Sequence, residues 1–154
     1  MQILRFKREH PNARMPTYGS AGAACFDLYA ATVEGASAIG SPCYEGVTVM
    51  CDTGLAVEVP TGMVLMVYSR SGHGFNHLIR LANSVGVIDS DYRGTIKVLL
   101  VCDEPDDDGP PVLIKPGDRV AQAMLIPVDR YEFEEVESLT ETIRGTNGLG
   151  STGA

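Results

Sequence analysis

The feature that most constrains this chain is the period of its apolar residues: they alternate, or run for four to eight positions, and then stop at Gly or Pro. Leu55-Ala56-Val57-Glu58-Val59 and Met63-Val64-Leu65-Met66-Val67 flank Pro60-Thr61-Gly62, a turn in which Pro and Gly supply the dihedrals. Val47 to Met50 precedes this pair, and Ile96 to Val101, Val112 to Ile114, Ala121 to Ile126 and Tyr131 to Val136 follow at strand lengths. No window of a dozen residues carries a 3.6-residue period, and seventeen Gly and nine Pro punctuate the segments. The pattern predicts an all-β domain, a sandwich or jelly roll with little helix, with at most one helical turn after Arg70-Ser71-Gly72.

With 154 residues and 16.5 kDa the chain suits one domain with a core large enough to fold without staples. A net charge of −8 argues against sequence-independent nucleic-acid binding, which needs many Lys and Arg on phosphates. It leaves room for a single small anion held by a local cluster of Arg and backbone N–H groups. Cys25, Cys43, Cys51 and Cys102 form neither a CxxC pair nor a Cys/His cluster, so reduced, partly buried thiols are expected rather than zinc or disulfides. No apolar run approaches the roughly 20 residues of a membrane span, and the first residues lack the apolar core of a signal peptide, so no membrane association and a cytoplasmic location are expected.

The stretch from Gly86 to Gly94 places Asp89, Asp91 and Tyr92 in a short turn between two apolar runs. There a hairpin presents side chains to a ligand instead of burying them. Asp, Ser and Gly are also ordinary turn residues, so turn chemistry alone is equally consistent with a solvated loop. Thr32 to Tyr44 reads as a loop of small residues. Asp103 to Pro111 reads as a solvated loop whose Asp106-Asp107-Asp108 run is not expected to converge on one metal ion. From Arg144 to Gly153, one Arg stands among glycines and hydroxyls, a composition that suits phosphate contact or an untethered terminus.

Five stretches in this order resemble the motifs of the homotrimeric deoxyuridine triphosphatases: Ala24 to Ala30, Arg70-Ser71-Gly72, Gly86 to Gly94 with its following strand, Gly117 to Gln122, and Arg144 to Gly153. The likeness spans residues about 20 to 153. It implies a jelly-roll catalytic domain over 1–143 and a flexible arm over 144–154 that closes on the active site. The implied reaction is hydrolysis of dUTP to dUMP and pyrophosphate, which limits uracil incorporation into DNA and supplies dUMP for dTMP synthesis. In that family a water attacks the α-phosphorus, and the Asp matching Asp89 is the general base, a role that suits a carboxylate ionised at neutral pH. Mg²⁺ would be carried mainly by the triphosphate, with Asp27 holding its waters from outside the coordination sphere.

The same resemblance assigns phosphate contacts to Arg70, Ser71, Gly72, Gln122, Arg144, Ser151 and Thr152. It assigns uracil to Asn83 and the backbone around Val87, Ile88 and Lys97, and the deoxyribose to Tyr92. Arg119 is expected in a buried ion pair within the subunit. His10, His73 and His77 have no part in this chemistry. Cys25 stands where the family more often has Gly, and Leu149 stands where its tail generally carries an aromatic residue over the base. The resemblance also implies three chains completing each site. A dCTP deaminase of the same fold and a non-catalytic nucleotide-binding sandwich are the alternatives. The sequence Asp89 to Gly94 and the glycine-rich tail favour the uracil enzyme over the first, and Asp27, Asp89, Gln122 and Arg144 together disfavour the second.

Overall fold

The computed structural model describes residues 2–35, 41–43, 48–103 and 112–148, with backbone alone at 41–43. The run Asp106 to Asp108, together with Leu149, Ser151 and Thr152, lies outside the described residues. In chain order the elements are β1 (Arg5–Arg8), β2 (Thr17–Tyr18), β3 (Phe26–Tyr29), β4 (Thr32–Glu34), β5 (Ser41–Cys43), β6 (Thr48–Glu58) and β7 (Met63–Tyr68). The helix α1 (Ser71–His77) follows, then β8 (Ile79–Leu81), β9 (Val85–Ile88), β10 (Thr95–Cys102), β11 (Val112–Ile114) and β12 (Arg119–Pro127).

Two five-stranded antiparallel sheets make the jelly roll. One runs β1-β6-β10-β8 with β4 also on β6, and the other runs β2-β3-β12-β7-β9. Alternation does the packing: in β10, Ile96, Val98, Leu100 and Cys102 are buried, while Lys97 is exposed and Thr95, Leu99 and Val101 are half-buried. Leu28, Leu65, Ile79, Leu81 and Ile96 are all fully buried in one cluster drawn from both sheets, each such side chain contributing roughly 1.5–3 kcal/mol. The all-β expectation holds, and the helical turn after Arg70 is α1, closed by Leu78 in the left-handed region at φ 52°.

Three expectations about elements differ from what is found. The two strands read near Val47 and Leu55 are one, because Cys51 to Gly54 continue the ladder through a bulge. The small-residue stretch after Ala31 contributes β4, paired with β6, and β5, paired with β11. Tyr131 to Val136 alternates like a strand but pairs with nothing among the described residues, and Phe133 is fully exposed. Alternation creates a strand only where a partner edge is available. Among the described residues no helix is long and apolar enough to cross a membrane.

Candidate active site

The first group of predicted residues gathers at one end of the β3-β12-β7 row. Register places Gln122 of β12 opposite both Asp27 of β3 and Tyr68 of β7. Two residues beyond Tyr68 the chain leaves the sheet, and Arg70 reaches back so that its Nε donates to Asp27 Oδ1 at 3.1 Å. Arg119 Nη1 donates to the other oxygen, Oδ2, at 3.2 Å. Asp27 and Arg70 are mostly buried, but the Arg119 side chain is 51% exposed. Arg119 is therefore in the expected ion pair, yet not a buried one, because it stands at the start of β12 with its guanidinium at the surface.

Gln122 Nε2 donates to the Ser69 carbonyl at 2.9 Å, and the Ser69 hydroxyl accepts from the Leu81 N–H at 3.0 Å. Ser69 thus fixes the approach to Arg70 from two sides, and nothing in local sequence distinguishes it from a loop serine. Ser71 and Gly72 open α1 and are exposed. One turn on, the His73 N–H donates to the Arg70 carbonyl at 3.1 Å, while its imidazole Nδ1 is buried with no partner among the described residues. Burial, and then the nearby charge of Arg70, push the His73 imidazole below its ordinary value, with His77 and Arg119 adding to this and Asp118 opposing it. Burial, reinforced by Asp27, pushes the Cys25 thiol up.

The second group surrounds the Asp89 turn, and here the expected hairpin is corrected. β9 pairs with β7 in one sheet, while β10 pairs with β6 and β8 in the other, so the turn carries the chain from sheet to sheet. A cavity of about 280 Å³ lies between β9 and β10, lined among others by Asn83, Gly86, Val87, Ile88, Lys97 and Leu99. The four residues expected around the base therefore share one cavity. Strands held apart leave polar backbone groups for a ligand to satisfy.

Asn83 is exposed in the tight turn before β9, where Ser84 takes φ 62° and the Val85 N–H donates to the Asn83 carbonyl at 2.7 Å. In the turn after β9, the Tyr92 N–H bonds the Asp89 carbonyl at 3.2 Å, and Arg93 Nη1 donates to the Ser90 and Tyr92 carbonyls at 2.8 Å each. Asp89 and Asp91 are both exposed. Tyr92 folds back, with its hydroxyl donating to the Thr95 carbonyl at 3.1 Å and its ring over Gly94, where any β-carbon would overlap it. A side chain at position 94 would have to displace the Tyr92 ring.

Within one chain Asp89 and Arg70 stand apart: Ile88, the last residue of β9 before Asp89, pairs with Leu65, and Arg70 follows Leu65 by five residues, two past the end of β7, a span of about 16 Å at the rise of a strand. Arg144 lies with neither group: it is exposed and its Nε donates to the Asn147 carbonyl at 3.0 Å within its own turn.

Among the described residues no three His, Cys, Asp or Glu side chains converge as a metal cage. Asp27, with each oxygen already accepting from an arginine, suits outer contact with a hydrated ion rather than direct ligation.

A family model described as dUTPase matches residues 11–153. The deoxyuridine 5'-triphosphate nucleotidohydrolase of Corynebacterium glutamicum is 38% identical over 153 residues, covering 99% of this chain and 94% of its own length. That of Wolinella succinogenes is 40% identical over 156 residues, covering 97% and 93%. Among solved structures, the dUTPase of Staphylococcus bacteriophage 80alpha with dUpNHpp aligns over 100% of both chains with a TM-score of 0.81 at 24% identity. A mutant dUTPase from phage phi11 of S. aureus, described with a structural Mg(II) ion, aligns over 89% of this chain and 98% of its own with a TM-score of 0.75 at 21% identity. At those identities the two structures establish likeness of fold. With the family model covering nearly the whole chain and relatives near 40% identity over more than nine-tenths of their lengths, the chain belongs to the dUTPase family.

Proposed function

We propose that this chain hydrolyses dUTP to dUMP and pyrophosphate, with Asp89 as the general base that orients and deprotonates the attacking water at the α-phosphorus. The observation that carries the reading is the cavity between β9 and β10, which holds Asn83, Val87, Ile88 and Lys97 along its walls, with Asp89 following Ile88 directly in the chain. A carboxylate within hydrogen-bond reach of a water is the minimum for general-base hydrolysis, and a nearby wall for the sugar fixes the substrate against it. In this assignment uracil sits against Asn83 and the backbone of Val87, Ile88 and Lys97, while Tyr92 lies beneath deoxyribose and refuses a 2′-hydroxyl.

Arg70, Ser71, Gly72 and Gln122 are assigned to the phosphates. Arg matches phosphate geometry through its planar fork, and Gly72 admits close backbone approach. Bound Mg²⁺ supplies charge neutralisation on the triphosphate oxygens, with Asp27 holding its waters. Residues 144–154 form an arm separate from the 1–143 domain. Arg144, Leu149, Ser151 and Thr152 on it close over the nucleotide, adding phosphate donors and excluding water.

The enzyme is a homotrimer in this reading, with Asp89 and Arg70 of any one site contributed by different copies. The separation of Asp89 from Arg70 in the β7–β9 register supports sharing. So does the segment holding Tyr131, Phe133, Leu139 and Ile143, each more than 70% exposed and without a partner strand among the described residues. The same reading keeps the enzyme in the cytoplasm with its nucleotide substrate.

Incubation of the purified chain with Mg²⁺ and, separately, dUTP, dCTP, dTTP and UTP, with product identification, tests the assignment. The expected result is dUMP and pyrophosphate from dUTP alone. Conversion of dCTP to dUTP would move the chain to the deaminase reading, and no turnover of any nucleotide would favour a binding protein.

A further inference from the structure

The root of the Asp89 to Gly94 turn rests on a carboxylate outside the residues assigned above. At the bulge in β6, Thr95 of β10 pairs with Ala56 and Lys97 pairs with Asp52, so Ile96 alone faces Thr53, Gly54 and Leu55. Asp52 holds this irregularity on three sides. Its Oδ1 accepts from the Gly54 N–H at 2.7 Å, and its Oδ2 accepts from the Thr95 hydroxyl at 2.8 Å, with the Lys97 ammonium at 3.6 Å.

The bulge has little freedom to relax. Gly54 has φ 63°, and a β-carbon there would come within 2.6 Å of His10 Cβ, so the position admits only glycine. Thr53 is fully buried with its hydroxyl satisfied both ways, donating to the Ile96 carbonyl at 2.9 Å and accepting from the Leu55 N–H at 3.2 Å. Thr95 is then fixed from both ends, since its hydroxyl is held by Asp52 while its carbonyl receives the Tyr92 hydroxyl. The Lys97 contact is half-exposed and adds little by itself, so the hydrogen bonds carry the geometry.

We propose that Asp52 is a positioning residue for sugar selection: by clamping Thr95 against the β6 bulge it sets where the Tyr92 ring lies, and through that ring how strictly a ribonucleotide is refused. This deepens the proposed function and rests on Tyr92 as the sugar wall.

The test is the ratio of kcat/KM for UTP to that for dUTP in the full chain and in Asp52→Ala, Asp52→Asn, Thr95→Val and Tyr92→Ala, with a melting curve for each. Asp52→Ala and Thr95→Val should each raise the ratio about five- to tenfold, the scale of one lost hydrogen bond. Asp52→Asn should stay within about twofold of the parent, because the amide still accepts from Gly54 and donates to the Thr95 hydroxyl. Thr95→Val, nearly isosteric, keeps the question answerable where Asp52→Ala does not fold. A Tyr92→Ala ratio that rises while folded Asp52→Ala and Thr95→Val keep the parent ratio overturns the role of Asp52 and leaves Tyr92 standing. An Asn variant as relaxed as the Ala variant also overturns it. A Tyr92→Ala ratio that does not move overturns the sugar-wall reading itself.

Discussion

Arg70 and Asp27 lie 43 residues apart in sequence, and the 3.1 Å bond between Nε and Oδ1 ties the first residue before α1 to the middle of β3. Arg119 completes the arrangement from a third element, so a single mostly buried carboxylate offsets two guanidiniums that face the same site. A removed partner in such a cluster leaves charge unbalanced in a poorly solvated place.

Asp27→Asn should therefore cost about 1–3 kcal/mol of stability, the penalty for stranding hydrogen-bonded charge. It should also raise the Mg²⁺ concentration needed for half-maximal turnover. Denaturant melts and a Mg²⁺ titration check the two effects separately. An unchanged Mg²⁺ requirement would confine Asp27 to holding Arg70 and Arg119.

His73 makes stability pH-dependent in a defined direction. Its imidazole is held below the ordinary value of 6.5, so the unfolded chain takes up a proton more readily than the folded one. This contribution is present above about pH 6.5 and is lost as pH falls below it. His73→Gln cannot titrate, and should show a shallower fall in Tm between about pH 7 and pH 5. Parallel Tm profiles for the two proteins would mean that the imidazole does not differ between folded and unfolded states.

Tyr92→Ala should raise kcat/KM for UTP relative to dUTP while changing kcat for dUTP less, because the ring touches sugar rather than phosphorus in the proposed site. Competition between the two nucleotides reads the ratio directly. An unchanged ratio would place discrimination at another residue.

Deletion of residues 144–154 should leave a folded protein, since the described bonds of Arg144 and Gly145 stay within their own turn. It should lower kcat/KM sharply by removing phosphate donors and water exclusion together. Leu149→Phe should tighten dUTP by up to about 1 kcal/mol through ring stacking. Full activity after deletion would remove the arm from the mechanism.

The strands were legible where alternation coincided with burial, as in β10, or where a short apolar run was bounded by turn residues, as in β7 and β12, because both are local signals. Tyr131 to Val136 carries the same signal without a partner edge among the described residues, and no local reading distinguishes the two cases. The Asp89 turn was visible from its composition, but its passage between sheets was not, since the pairing of β9 is decided by β7, about twenty residues upstream in sequence. The Arg119 to Asp27 contact spans 92 residues and depends on the β3–β12 register, so its degree of exposure could not be read from either motif. Asp52 and Ser69 act only through neighbours that folding brings to them, and neither belongs to a motif.

The claim that one site draws on two chains is tested by mixing two variants, Asp89→Asn and Arg70→Ala. Each should fold and each alone should lose turnover, the first by roughly 10²–10⁴ in kcat through loss of the general base. Unfolded together and refolded into mixed trimers, they should regain about a quarter of the parent activity, because random assembly pairs an intact Asp89 with an intact Arg70 in that share of sites. Mixtures no more active than the separate variants, in trimers shown to contain both chains, would contradict the shared site. Parent-level turnover by Asp89→Asn alone would contradict its role as the base.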